Sequence, residues 1–294
     1  MLGSALFAVN HLGHLVAPSG EPWHKRAVLP YEQVAHEAAL HAGTLLRARH
    51  RDHHEVSFKS TDIDLVTPAD RDVEQLVVAA ITEAFPDHGI VTEESAARPG
   101  RGPFRWYVDP IDGTTNFAHG YPHFAVSIGL ARDDDMIFGL VHDPMREETF
   151  TAHRGQGARL NGAPIAVSTV TRLEQALLGT GFPYDRRLNA DFYVAFVAEA
   201  MRRSQGIRRG GSAALDLCWL ACGRLDAFWE WKLKPWDVAA GRLVVEEAGG
   251  RVSDFSAGPH RLSAEETAAT NGRLHDQLLA MIADVRRSVA GDAA

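Results

Sequence analysis

The run Trp106-Tyr107-Val108-Asp109-Pro110-Ile111-Asp112-Gly113-Thr114-Thr115-Asn116 constrains this chain more than any other. An apolar, strand-like stretch empties there into two carboxylates three residues apart. Carboxylate oxygens at an element end suit a hard cation. The Gly-Thr-Thr that follows offers small residues and free backbone N–H groups to a phosphate beside that cation. Metal-assisted phosphate chemistry is the reaction class this pattern points to.

Two further acidic clusters support that reading. Glu93-Glu94 follows the apolar pair Ile90-Val91, and Trp236-Asp237 opens an alanine-rich helical stretch. One acidic pair in a loop is ordinarily solvated surface. Three clusters, each abutting an apolar run, are harder to assign to solvent.

A chain of 294 residues, 45% hydrophobic, can bury one large core or two smaller ones. Its formal charge of −8 argues against a nucleic-acid or anionic-membrane partner, since both need a clustered basic face. Arg208-Arg209 and Arg286-Arg287 are too short to supply one. The only cysteines, Cys218 and Cys222, stand four apart on one predicted helix face. They read as small hydrophobes in a reducing compartment, hence a cytoplasmic protein. Residues 1–30 contain Leu2 to Val9 and Leu12 to Val16 but no basic n-region, so they read as a flexible extension or as the product of a start codon placed too far upstream, rather than as a signal or a membrane span.

After Pro30, apolar residues at Tyr31, Val34, Ala35, Ala38, Ala42, Leu45 and Leu46 predict an amphipathic helix, and Arg47 to His54 a polar break. Lys59 to Val66 reads as extended. Thr67-Pro68 reads as an N-cap and first turn, followed by a helix turning Val73, Leu76, Val77, Ala80, Ile81 and Ala84 inward. Residues 124–131, 136–142 and 148–152 predict an antiparallel meander. The second half alternates: helices around 189–204, 212–222 and 238–247, with strands at 225–229 and 251–255, which indicates an α/β layer. The change of pattern divides the chain near Thr171, into 31–170 and 171–294.

The chain resembles the inositol monophosphatase family of magnesium-dependent phosphatases. The resemblance rests on Asp109-Pro110-Ile111-Asp112-Gly113-Thr114-Thr115-Asn116, Glu93-Glu94-Ser95, Trp236-Asp237-Val238-Ala239-Ala240-Gly241 and Asp64-Leu65-Val66-Thr67-Pro68-Ala69-Asp70, and spans roughly residues 31 to 287. It implies a mixed α/β, layered α-β-α-β-α sandwich of the inositol monophosphatase and fructose-1,6-bisphosphatase type, with the metal site between two halves. It also implies two or three Mg2+ ions. Glu93, Asp109 and the carbonyl of Ile111 would hold the first; Asp109, Asp112 and Asp237 the second; Glu93 with water a weaker third, with Glu94 in support. One ion of such a pair can acidify a water while the other stabilises the leaving oxygen.

By the same resemblance, Thr114 polarises the attacking water, with Asp70 accepting its hydroxyl proton and Glu93 on the water's other side. The amides of Gly113 and Thr114 would meet the phosphate, and Lys59 would balance the carboxylates. Asp112, Ala213 and Glu230 match the positions that contact a polyol, and Glu230 can accept hydrogen bonds from vicinal hydroxyls. His50, His53 and His54 read as a solvated loop, Trp229 and Trp231 as packing, and Lys232 and Lys234 as cations near the site or covering a strand end.

The expected activity is hydrolysis of myo-inositol monophosphate to inositol and phosphate by a metal-activated water. Histidinol phosphate, fructose 1,6-bisphosphate and 3′-phosphoadenosine 5′-phosphate are alternative substrates of the same fold. A non-catalytic regulatory protein is the alternative of a different class. The family resemblance further implies a homodimer and lithium sensitivity.

Overall fold

The computed structural model describes residues 29–51, 56–59 and 61–291. Helix α1 (Pro30–Arg49) is followed by a small hairpin, β1 (Ser57–Phe58) and β2 (Leu65–Val66), and by helix α2 (Pro68–Ala84). A seven-stranded sheet then forms in chain order: β3 (Gly89–Thr92), β4 (Phe104–Asp112), β5 (Ala125–Arg132), β6 (Asp135–Asp143), β7 (Glu148–His153), β8 (Ala158–Leu160) and β9 (Ala163–Ile165). The β3–β4 pair is parallel and the rest antiparallel, with the short helix α3 (Thr114–Ala118) between β4 and β5.

The second sheet holds β10 (Leu177–Thr180), β11 (Gly206–Arg208), β12 (Ala227–Trp231), β13 (Arg251–Ser253) and β14 (Glu266–Thr270) in the order β11-β10-β12-β14-β13. Helices α4 (Ala190–Arg203), α5 (Ala213–Ala221), α6 (Pro235–Glu247) and α7 (His275–Gly291) complete it.

Strand alternation sorts the side chains into three cores. Trp106 and Val108 of β4, Ile128 and Leu130 of β5, and Phe138 and Leu140 of β6 face α1 and α2. Tyr107, Ala131 and Val141, on the opposite faces of the same strands, meet α5 and α6, as does Phe228 from the second sheet. Ala227, Trp229 and Trp231 face the other way, toward α4 and α7. The layers are therefore α1/α2, sheet, α5/α6, sheet, α4/α7, the α-β-α-β-α arrangement expected.

The middle layer is tight because its residues are small. A Cβ on Gly139 would lie 2.7 Å from the Ala240 carbonyl oxygen, so α6 rests its backbone on β6. Among the described residues no helix is long and apolar enough to cross a membrane.

Several local expectations change. Helix α1 continues to Arg49, where a polar break was expected, because Leu46 still packs inward on the last turn. His50 is buried against Phe124, rings 5.9 Å apart, rather than solvated; His53 and His54 lie outside the described residues. The stretch from Lys59 to Val66 turns back on itself as a hairpin, with Lys59 N–H bonded to the Asp64 carbonyl at 2.9 Å. Ala84 ends α2 exposed. Pro30 already belongs to α1, and residues 1–28 are outside the described residues.

Candidate active site

The carboxylates of β4 owe their placement to an irregularity. Residues i and i+3 of a regular strand point to opposite faces. Here Asp109 pairs with Ser127 and Asp112 with Ala125, three residues against two, so the extra residue is a bulge at Pro110-Ile111. The bulge turns Asp112 to the side that Asp109 already faces. The chain then leaves the strand through Gly113, at φ +103°, where a Cβ would lie 3.1 Å from two carbonyl oxygens.

Both carboxylates open onto a cleft of about 930 Å3 between the two sheets. Lys59, Glu93, Ile111, Gly113, Thr114, Ala213, Glu230 and Asp237 share its lining, so residues far apart in sequence meet at one surface. Asp70 lies just behind. Its carboxylate accepts the Thr114 hydroxyl at 3.0 Å and is held from the other side by the Thr67 amide and hydroxyl, both at 2.7 Å. The same Thr67 caps α2, so the capping box also aims Asp70.

Asp112 is fastened from the second half of the chain. Its carboxylate accepts the Ser212 hydroxyl at 2.6 Å and the Ala214 amide at 2.7 Å, at the N-terminus of α5. Asp109 accepts the Ile111 amide at 3.0 Å, and Asp237 accepts the Lys234 amide at 2.8 Å as it starts α6. Lys59 reaches Glu93 at 2.8 Å and also pairs with Glu94.

One lysine does not neutralise this set. Burial, then the charges of Glu93, Asp112 and Asp237, push the Asp109 carboxyl well above the usual carboxylate range. Burial likewise raises Asp237 strongly, Asp112 to about 6 and Glu94 to about 7. Burial raises Glu93 as well, against the opposing charge of Lys59.

Among the described residues no three acidic, His or Cys side chains form a closed metal cage. The donor chemistry nonetheless fits a divalent cation. All the donors are oxygens, as magnesium prefers, and a bound cation would relieve the repulsion among the carboxylates. Glu93, Asp109, the Ile111 carbonyl, Asp112 and Asp237 are the groups able to hold it.

A statistical description of the inositol monophosphatase family matches residues 28–288. The chain belongs to this family. It is 45% identical to the inositol-1-monophosphatase of Synechocystis, over 84% of this chain and 86% of that protein. It is 44% identical to the Nus factor SuhB of Pseudomonas aeruginosa, over 86% of this chain and 96% of that protein. Among solved structures, the extragenic suppressor protein suhB from Bartonella henselae superposes with a TM-score of 0.83 at 38% identity, covering 86% of this chain and 98% of that one.

The structure adds site residues that sequence reasoning missed in this inositol monophosphatase family member. Ser212 was expected only as the first residue of a helix; the structure makes it the N-cap of α5, and its hydrogen bond to Asp112 spans 100 positions and left no local trace. Asn116 ties the turn after β4 to the loop before α5, donating to the His123 carbonyl at 2.7 Å and the Gly210 carbonyl at 2.9 Å. Gly181 leaves room for Glu230; a Cβ there would fall 2.1 Å from the carboxylate. Burial pushes Glu230 up to about 8, although nearby Arg209 opposes the shift. The segment from Phe182 to Leu188 forms a wall of the cleft that carried no motif at all.

Proposed function

We propose that this protein hydrolyses a phosphate monoester, myo-inositol monophosphate to inositol and phosphate, in a magnesium-dependent reaction. The observation that carries the reading is the meeting, in one cleft, of the bulged Asp109–Asp112 pair, Glu93 and Asp237 with the Thr114–Asp70 couple. In this reading Glu93, Asp109 and Ile111 would hold one ion, Asp109, Asp112 and Asp237 would hold a second, and Glu93 would help to hold a weaker third. Bound there, magnesium supplies charge neutralisation for the phosphate and Lewis acidity.

The residues of the chain do the rest. The Thr114 hydroxyl gives its hydrogen to Asp70, which leaves the threonine oxygen free to accept a hydrogen bond from the attacking water. Burial raises the Asp70 carboxyl, moving it toward the range in which an acid is an effective base. Water attacks phosphorus and passes a proton through the Thr114 hydroxyl to Asp70, the P–O bond to the polyol breaks, and the leaving alkoxide takes a proton from solvent. The Gly113 and Thr114 amides face the phosphate. Asp112 and Ala213 border the polyol, and Glu230 meets its hydroxyls as acceptor or, protonated, as donor. We extend the reading to a cytoplasmic homodimer; the unpaired thiols of Cys218 and Cys222 support a reducing compartment.

The test is phosphate release from inositol 1-phosphate, histidinol phosphate, fructose 1,6-bisphosphate and 3′-phosphoadenosine 5′-phosphate, with and without Mg2+, by wild type and Asp109→Asn. Magnesium-dependent turnover of inositol phosphate, cut about a thousandfold or more in the variant, is expected. Hundredfold better turnover of histidinol phosphate would replace the substrate, and a near-normal variant would remove the metal assignment.

The relatives named Nus factor SuhB favour a second reading, a role through a partner rather than through catalysis. Such a role would survive Asp109→Asn.

A further inference from the structure

Glu93 stands one residue beyond the β-ladder that leads to it. The last β3–β4 pair is Thr92 with Val108, and the chain then bends through Glu93, Glu94 and Ser95. Asp109, whose carboxylate is repelled by Glu93, lies inside β4. Like charges in a buried cleft push apart strongly, so a strand end that carries one of them needs a hold from behind.

That hold comes from α2. The Glu74 side chain is 5% exposed and is not part of the cleft lining. A single oxygen, Oε2, accepts the Thr92 hydroxyl at 2.5 Å and the Glu94 amide at 2.7 Å. Both residues that flank Glu93 are thus fastened to one atom. Among the described residues Glu74 makes no ion pair and no other side-chain hydrogen bond. Asp70 stands one turn earlier on the same face of α2, and its carboxylate goes to Thr114. One capped helix therefore sets both the Thr114–Asp70 couple and the bend that carries Glu93.

The plainest explanation is that Glu74 only satisfies a buried hydroxyl and a buried amide. A neutral acceptor would do that with a smaller desolvation penalty than a carboxylate. What the carboxylate adds is strength, since charge-assisted hydrogen bonds are roughly twice as strong as neutral ones. We propose that Glu74 is a positioning residue of the metal site: through Thr92 and the Glu94 amide it holds the Glu93 carboxylate where that group binds the cation. Glu74 itself touches neither cation nor substrate. The proposal rests on the magnesium reading above and extends it to a residue outside the cleft.

The test is calorimetric titration of the substrate-free protein with MgCl2, in wild type, Glu74→Ala, Glu74→Gln and Thr92→Val. Leu278→Ala, in the distant α7 core, serves as a variant weakened only in stability. Loss of an outer partner of a metal-binding side chain typically weakens metal binding by about 10–100-fold, so Kd for Mg2+ should rise about tenfold or more in Glu74→Ala. Glu74→Gln keeps an acceptor oxygen and should lie between that variant and wild type. Thr92→Val removes one of the bonds to Glu74 and should also bind more weakly than wild type. Leu278→Ala should bind as wild type does, however far its Tm falls. Unchanged affinity in Glu74→Ala overturns the proposal. So does an equal loss in Glu74→Gln, which would trace to the missing charge alone, or an equal loss in Leu278→Ala. Should Glu74→Ala fail to fold, Thr92→Val decides, and wild-type affinity there overturns the proposal. A wild-type protein that takes up no Mg2+ instead removes the magnesium reading, and this proposal with it.

Discussion

The hydroxyl of Thr114 lies 3.0 Å from both Asp70 Oδ1 and the Ile111 carbonyl, so its one hydrogen has two acceptors. The carboxylate is the stronger, since charge-assisted bonds are roughly twice as strong as neutral ones. Thr114→Ala should therefore lower kcat by about 10²–10⁴-fold, the usual contribution of a positioned proton acceptor, while Thr114→Ser should recover most of it. Steady-state phosphate release measures both, and an alanine variant as active as the serine one would end the assignment. At this scale the sequence was informative where chemistry is local. Asp109, Asp112 and Thr114 stand within six residues, and their type and spacing announce them. The bond from Ser212 to Asp112 was illegible for the opposite reason: it joins segments that only the fold brings together.

Among the elements, those read well carry their own signals. Thr67-Pro68 marks the start of α2 through a cap and a proline, and helices α4, α5 and α6 show plain apolar patterns. Strands β10 and β14 did not, being four and five residues long and buried by their neighbours rather than by alternation of their own. Leu278, Met281, Ile282 and Val285 mark α7 as clearly as any helix, though no expectation was set for it. The bulge in β4 is half-legible: Pro110 inside a strand signals irregularity, but its register needs the partner strand. The backbone approach of α6 to β6 is also testable. Because a Cβ on Gly139 meets the backbone of Ala240 and not a yielding side chain, Gly139→Ala should destabilise the protein by about 1–3 kcal/mol. Its urea midpoint would drop accordingly; an unshifted midpoint would mean that α6 moves away from β6 at little cost.

For the whole molecule, the acids and the histidines pull stability in opposite directions with pH. Asp112 at about 6, Glu94 at about 7 and Glu230 at about 8 are raised chiefly by burial, so the fold binds protons that the unfolded chain releases. The stability they bring fades as pH climbs toward those values. His123, His142, His260 and His275 are lowered to about 4, again chiefly by burial. Their contribution is full above about 6.5 and is lost as pH falls below it. Only the interval from about 6.5 to 8 isolates the acids. There the metal-free protein should lose Tm as pH rises, and Mg2+ should restore more of it at pH 8 than at pH 6.5. Thermal melts in chelator that stay flat or rise across that interval would contradict the electrostatics.

The bond between Asp112 and Ser212 also sets an order of events at the ribosome. Asp112 is synthesised 100 residues before the hydroxyl that orients it. At roughly 5–20 residues per second, the nascent chain carries that acid for about 5–20 s before Ser212 is made. The acidic cleft is thus assembled late, when the second sheet arrives, and a polypeptide interrupted before α5 would carry most of the acids without the contact that holds Asp112 in place.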